Sequence, residues 1–340
     1  MHGPLLECHA MTLTAAPLAT AEPFELLARV FRAGGDALRL EILRALREDA
    51  YAVLELCRIF GMRQPALSHH LKVLAEAGLL ARRREGTTIF YHRSPAATLD
   101  PAAQALLAAA DAIGLREATA AGIARIREER ARSSREFFAA NARKFAEQQE
   151  LIAPPAHYRA SLEQLLDSAC PRAPGTVLEL GPGEGWLLPR LARQAARVIA
   201  IDNSPEMLAE ARATVAAAGL GNVELQLGDG ALAATLPGTV DIAVCNMVLH
   251  HTASPAEVIA ELARSLRPGG VLLLTDLCAH DQAWARDACG DLWLGFAPED
   301  LGRWARLAGL MEGEGLYLAL RNGFRVQLRI FNSPQSRVPA

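Results

Sequence analysis

The 340-residue sequence predicts two domains of different class: a mainly helical one carrying a β-hairpin, then an α/β one built on a largely parallel sheet. Three observations predict this. Residues 36–93 run as helix, short helix, tight turn, helix and alternating hairpin. From Thr176 onward, short apolar runs of buried-strand type alternate with helix-forming stretches, the pattern of a sheet covered by helices on both faces. Between the two lies an Ala-rich, helix-forming segment, residues 96–155.

Composition is that of an ordinary globular chain, 51% hydrophobic and 21% charged. No apolar run approaches the roughly 20 residues a membrane span needs, so no membrane partner is expected. A net charge of −3 excludes a globally basic nucleic-acid binder and confines any such function to a local surface. The charge is indeed uneven, +2 over residues 1–150 and −5 over the remainder. Only Lys72 and Lys144 are lysines, so arginine content by itself says little about phosphate binding. Cys8, Cys57, Cys170, Cys245, Cys278 and Cys289 are scattered without a CxxC pair, which fits reduced thiols and a cytoplasmic chain. Residues 1–22 lack the basic start of a secretory leader and read as a disordered tail, and residues 332–340 read as a second tail.

In the first domain, residues 23–95, Leu38, Ile42, Leu43 and Leu46 share one helical face. A short helix follows with Val53, Leu54, Leu56, Cys57 and Phe60 as its apolar positions, and Gly61 supplies the turn. Pro65 opens the next helix, where its missing N–H costs nothing; Leu67, Leu71 and Leu74 are its buried side, and Gly78 ends it. Residues 79–93 alternate about a Glu85-Gly86 turn as a hairpin. This is the order of a winged helix-turn-helix, whose second helix enters the major groove while the wing follows the backbone. Residues Met62 to Arg93 carry a local charge of +4. Gln64, Ser68 and His69 suit base edges, and Lys72 with Arg82, Arg83 and Arg84 suits phosphates.

The stretch Gln64-Pro65-Ala66-Leu67-Ser68-His69-His70-Leu71-Lys72-Val73-Leu74, followed by Ala77-Gly78-Leu79, resembles the ArsR/SmtB family of bacterial repressors, the likeness covering residues 31–93. The resemblance implies a homodimer reading a palindromic operator in double-stranded DNA. A winged helix can instead serve only dimerisation or protein contacts, but the polar outer face of the second helix favours DNA. Many members sense metals through paired thiolates; here Cys57 stands alone and His69 and His70 diverge, so no metal is expected.

In the connector, Gly114 and Gly122 read as weak interruptions, and Leu106, Leu107, Ala110 and Ile113 form a stripe suited to a subunit interface. The mixed charges of residues 123–135 predict a solvated helix joining the domains. Phe137, Phe138 and Phe145 then suit a cap closing over a cofactor.

The second domain, residues 156–331, opens with a strand running into Gly181-Pro182-Gly183-Glu184-Gly185, a turn that lets backbone approach a ligand where a Cβ would collide. A following strand ends at Asp202, a third runs into Gly228-Asp229-Gly230, a fourth ends at Asn246, and Arg321-Asn322-Gly323 marks a closing hairpin. In this order the motifs are similar to those of the class I S-adenosylmethionine-dependent methyltransferases, a Rossmann-like α/β fold with a terminal antiparallel hairpin. The resemblance implies S-adenosylmethionine or S-adenosylhomocysteine as cofactor. Glu179, Gly181, Gly183 and Gly185 would hold its methionine and ribose side, Asp202 its ribose, Met207 and Asp229 its adenine, and Asn246 would lie beside the methionine end. A nicotinamide cofactor is disfavoured. Methyl transfer needs alignment more than a fixed catalytic group, and the candidate bases are His280, Asp276, His250 and His251. For His250 and His251 a packing role is the stronger reading.

Two functions stay open from sequence. In the first the chain is a DNA-binding transcriptional regulator whose methyltransferase-fold domain takes S-adenosylmethionine or S-adenosylhomocysteine as effector, an architecture similar to S-adenosylhomocysteine-responsive ArsR-type regulators. In the second it is an active methyltransferase for a small-molecule acceptor, with the winged helix regulatory. Arsenic methylation is disfavoured, because the cysteines show no thiolate-cluster spacing.

Overall fold

The computed structural model describes residues 23–85, 88–141, 144–169 and 175–335. Residues 1–22 with Cys8, Cys170, the tip of the expected Glu85-Gly86 turn and residues 336–340 therefore lie outside the described residues, while residues 332–335 of the expected second tail are described, with Asn332 in the last strand and Ser333 buried. In the first domain, helix α1 (Pro23–Gly34) precedes α2 (Ala37–Ala45), which Asp36 caps by accepting from the Arg39 N–H at 2.9 Å. The pair α3 (Val53–Phe60) and α4 (Gln64–Glu76) turns at Gly61, whose φ of 61° is the left-handed conformation glycine supplies without strain. Strands β2 (Leu80–Glu85) and β3 (Thr88–Arg93) form the wing, in register from Leu80 opposite Arg93 to Glu85 opposite Thr88. A strand not predicted from the sequence, β1 (Tyr51–Ala52), pairs with β3. Two residues are too few to show alternation, so only the fold reveals them.

The connector holds α5 (Pro101–Asp111), the 25-residue α6 (Glu117–Asn141) and α7 (Phe145–Ile152). Helix α6 is not the solvated rod its charges predict. Thr119, Ile123, Ile126, Arg130 and Ser134 are buried along it, and it runs unbroken through Gly122. That glycine is a contact rather than an interruption: a Cβ there would stand 2.8 Å from the Ile59 carbonyl oxygen of α3.

The second domain begins with α8 (Pro155–Ala169) and alternates β4 (Thr176–Leu180), α9 (Leu188–Ala192), β5 (Arg197–Asp202), α10 (Pro205–Ala217), β6 (Val223–Leu227), α11 (Gly230–Ala233), β7 (Val240–Asn246), α12 (Pro255–Ser265) and β8 (Leu266–Leu277). Helices α13 (Trp284–Cys289) and α14 (Pro298–Leu307) lead to the hairpin β9 (Met311–Ala319) and β10 (Arg325–Asn332). The sheet order is β6-β5-β4-β7-β8-β10-β9, parallel from β6 to β8 and antiparallel through the hairpin, as the sequence predicts. Strand direction of travel reverses at β4, with β5 on one side and β7 on the other, and the crevice at such a switch point is where ligands enter open α/β sheets.

The two domains are not separate bodies on a tether. Ala52 and Phe90 of the winged helix belong to the same hydrophobic cluster as Leu178, Leu274, Trp293 and Phe296 of the sheet domain. Polar contacts close the seam. Arg130 reaches Glu55 at 2.6 Å and the Ala253 carbonyl at 3.3 Å, and its guanidinium lies 4.5 Å from the Trp293 ring centroid. Ser254 donates to Asp49 at 2.9 Å. A buried arginine with both charge and aromatic partners is one its surroundings compensate.

Candidate functional site

At the carboxyl ends of β4, β5 and β7 lies a cavity of about 640 Å³. Gly181, Gly183, Asp202, Met207, Asp229 and Asn246 line it, six of the eight residues expected to hold a cofactor. The glycine loop is shaped by packing. At Gly181 (φ 68°) a Cβ would fall 2.5 Å from a Val248 methyl, while Gly183 (φ 58°) lies under Met207. Gly185 serves the fold instead, standing against Leu188 and Ala211 outside the cavity wall. Glu179 also lies beneath the surface, 2% exposed.

The polar side chains are held before any ligand arrives. Asp202 Oδ1 accepts from the Ser204 N–H at 2.9 Å, and Ser204 caps α10 beneath Met207. Burial raises the Asp202 carboxyl to about 6, with backbone donors opposing the rise. Asp229 caps α11 through the Ala231 N–H at 3.1 Å. Glu179 is pushed to about 8 by burial and then by the neighbouring Asp202 charge. Asn246 donates to the Tyr158 hydroxyl at 3.4 Å. Its Oδ1 and Glu179 Oε2 are buried acceptors without a hydrogen-bond partner. Two orphaned acceptors at this end, a buried carboxylate at the next strand and an acid beyond it fit the ammonium, ribose and adenine donors of an adenosylated amino acid. Met247, between Asn246 and Val248 in the cavity wall, holds a left-handed φ of 56°, strain of the kind found at ligand sites.

Of the four candidate bases, only His251 reaches the cavity. His250 and Asp276 are buried behind it, joined at 2.7 Å. Burial lowers His251 well below the usual histidine range, whereas for His250 the Asp276 and Asp291 carboxylates overcome burial and lift it to about 9. His280, the base favoured from sequence, is lowered to about 4 by burial and packs on Phe324, 4.7 Å between ring centroids, away from the cavity wall.

Of the opposite wall, the sequence marks only the aromatic cap. Helix α6 supplies Arg127, Ser134, Arg135 and Phe138 to the cavity. Phe138 meets the expected cap role and stands edge-on to His251 at 5.0 Å. Phe137 packs over Gly290, and the side chain of Phe145 lies outside the described residues. Arg127 bonds Asp49 of the first domain at 2.6 Å and Glu257 of α12 at 2.9 Å. Burial opposes its charge, but Asp49 outweighs that and holds it firmly protonated. No sequence signal sets this arginine apart from its neighbours on α6.

On the first domain, Gln64, His69 and Lys72 are exposed along α4 and Ser68 is half-buried beside them. Arg82 and Arg84 are exposed on the wing. Arg83 is not beside them: it turns into the seam, donating to the Gly295 carbonyl at 3.1 Å and pairing with Glu85, which also binds Arg286. Strand alternation explains the split, since successive side chains of β2 face opposite ways.

Fold and site together define a winged helix-turn-helix joined to a methyltransferase-fold domain. Residues 36–82 match the bacterial regulatory protein, arsR family, and residues 178–274 match a methyltransferase domain. A ubiquinone biosynthesis O-methyltransferase of Xanthomonas euvesicatoria is 32% identical over 170 residues, 45% of this chain and 71% of that one. An uncharacterized 37.1 kDa protein in transposon TN4556 of Streptomyces fradiae is 41% identical over 116 residues; the match spans 32% of each chain, so this chain covers about a third of that relative. A further ubiquinone biosynthesis O-methyltransferase, from Methylococcus capsulatus, is 32% identical over 66% of its length. A chain of the Haloferax volcanii complex between the Trm112 methyltransferase activator and a methyltransferase superposes with a TM-score of 0.51 at 20% identity, over 60% of this chain and 99% of that one, a likeness of fold alone. The chain belongs to the methyltransferase family through its second domain and carries an arsR-family domain at its amino-terminal side.

Proposed function

We propose that the protein is a DNA-binding transcriptional regulator in which S-adenosylmethionine or S-adenosylhomocysteine, bound in the second domain, acts as effector. The observation that carries this reading is Arg127. It lines the cofactor cavity and at the same time bonds Asp49 of the winged helix, so the ligand site and the DNA-binding unit share a wall. A ligand contacting α6 in one arrangement more than another biases the winged helix by that difference in affinity, and by no more. In this reading Asp202 binds ribose, Asp229 and Met207 bind adenine, and Glu179 and Asn246 face the methionine ammonium.

DNA is engaged as a homodimer on a palindrome. Phe24, Leu26, Leu27 and Phe31 of α1, with Ile113 beyond α5, are large apolar side chains left exposed, a surface of the kind that a second copy covers. Sedimentation of the protein with and without Phe31→Glu tests this, the variant being expected to shift toward monomer. The effector reading is tested by selecting bound fragments from genomic DNA and measuring their affinity with each ligand present. A change of roughly 5–150-fold is expected. Operator affinity indifferent to both ligands overturns it.

A second reading has its own observation. His251, kept uncharged by burial, stands in the cavity wall, where it can accept a hydrogen bond from the hydroxyl or N–H of a small-molecule acceptor and orient it for methyl transfer. Release of S-adenosylhomocysteine from S-adenosylmethionine in the presence of metabolite extract supports the enzyme; its absence with many extracts leaves the regulator.

A further inference from the structure

Behind the cavity wall, two adjacent histidines and an aspartate 40 positions on converge in the interior. His250 and His251 stand on a single 3-10 turn, Leu249–His251, and their rings lie 4.0 Å apart between centroids. Asp291, 3% exposed, places Oδ1 3.9 Å from His250 Nε2 and 3.8 Å from His251 Nδ1. Neither oxygen of Asp291 has a hydrogen-bond partner. A carboxylate shut away from water and accepting nothing is costly, and two imidazoles aimed at one of its oxygens form a donor set rather than a hydrogen-bonded one.

We propose that His250, His251 and Asp291 form a binding site for one divalent transition-metal cation of the zinc type. The three ligand atoms lie within 4.8 Å of one another, and the residues are all buried. Bonds of about 2.0–2.2 Å from imidazole nitrogen and carboxylate oxygen require the three to draw together by roughly half an ångström around the ion. The second coordination layer is in place. His250 Nδ1 is 2.7 Å from Asp276 Oδ1, the carboxylate-histidine arrangement that fixes the ring so that Nε2 faces a metal. Asp276 is itself anchored by the Leu277 N–H at 2.7 Å. The backbone clasps the same corner, for the Leu292 and Trp293 N–H groups both donate to the His250 carbonyl. His251 Nδ1 also lies 3.3 Å from the Gly290 carbonyl, a contact the bound ion replaces. Three protein ligands leave a fourth position, where a water or a small oxygen or nitrogen ligand completes a tetrahedron. Imidazole and carboxylate without thiolate suit zinc, iron or cobalt over copper(I). The site stands on these residues alone and does not depend on the effector reading above.

The experiment uses the full chain, stripped with a chelator and titrated with zinc in competition with a chromophoric chelator, then with cobalt(II) followed by visible absorption. One ion per chain is expected, with a cobalt spectrum of four-coordinate type and no thiolate charge-transfer band. Asp291→Asn and His251→Gln each are expected to weaken zinc binding at least 100-fold, while His280→Gln, outside the cluster, leaves it unchanged; melting curves in chelator verify folding of each variant. Absence of stoichiometric binding by the parent protein overturns the proposal, as does a thiolate band or undiminished affinity in folded Asp291→Asn. The parent's cobalt spectrum decides the matter even if a variant fails to fold.

Discussion

Arg127 and Asp49 meet at 2.6 Å between the winged helix and α6, the connector helix that walls the cavity, and Asp49 keeps only 1% of its side chain exposed. The carboxylate also accepts from the Tyr51 and Ser254 hydroxyls, so it is satisfied on all sides while the arginine is there. Arg127→Met leaves it buried beside one fewer cation. Since the arginine itself is partly exposed, a loss of about 2–4 kcal/mol is expected, below the about 3–5 kcal/mol of a fully buried pair. In a double-mutant cycle with Asp49→Asn the coupling is expected at about 1–3 kcal/mol. Chemical denaturation of the four proteins measures it. Additive losses would show that the two residues do not act as a pair, and would remove the physical link on which the effector reading rests.

The second prediction concerns pH. The Asp202 carboxyl is raised to about 6 by burial, and ribose hydroxyls donate to its charged form. Ligand binding therefore lowers its pKa and expels a proton wherever the free protein holds one. The sign follows: affinity for S-adenosylhomocysteine falls as pH drops below about 8, where Glu179 facing the ammonium takes up its proton, and falls more steeply below about 6, where Asp202 does, by up to about tenfold per unit for each group. Calorimetry between pH 5 and 7.5 in buffers of different ionisation enthalpy reads both the slope and the proton released. A flat profile, or proton uptake, counts against Asp202 as the ribose ligand.

Both folds were legible because each rests on local signals that the structure leaves intact. Gly61 and Pro65 mark the turn and start of α4, and the apolar runs ending at Leu180, Asp202 and Asn246 are strands buried on both faces. The seam between the domains was not legible. Periodicity marks a charged face as solvated whether the charges meet water or each other, so Arg127 and Arg130 read as surface. Their partners, Asp49, Glu55 and Glu257, lie 75–130 residues away in either direction. The same blindness hid Asp291, which sequence sets 40 positions from the histidines it faces, and turned Arg83 outward in expectation when its strand position turns it in.

The wing gives the third prediction. Arg82 and Arg84 are exposed, while Arg83 is held by Glu85 and the Gly295 carbonyl. If the wing follows the phosphate backbone, Arg82→Ala and Arg84→Ala each lower the slope of log affinity against log salt by about 1 for every phosphate that a protomer no longer neutralises. Lys72→Ala, exposed on α4, is expected to do the same. Arg83→Ala leaves the slope unchanged and lowers stability instead, because it leaves buried Glu85 with Arg286 as its one remaining cation. Binding isotherms at four salt concentrations, with melting curves alongside, separate the two behaviours. A reduced slope for Arg83→Ala would mean that the wing leaves the seam when DNA is bound.

Gly122 provides a test by sign. In the middle of an exposed helix, alanine for glycine stabilises by about 1 kcal/mol, since it restricts the unfolded chain and favours helix. On α6 the new Cβ would stand 2.8 Å from the Ile59 carbonyl oxygen and 2.9 Å from its Cα, both backbone atoms of α3 that cannot rotate aside. The helices must part by several tenths of an ångström, and overpacking of that kind costs about 1–3 kcal/mol. Gly122→Ala is therefore expected to destabilise despite the better helix former, by about 1–2 kcal/mol net. Because α6 carries the cavity wall, the same variant is expected to keep DNA binding in the absence of ligand and to lose most of the ligand effect on it. A stabilised variant would mean that α6 does not press on α3 in solution. A destabilised one with the full ligand effect would separate the packing from the coupling and direct the search for the coupling element to the seam formed by Phe90 and Trp293.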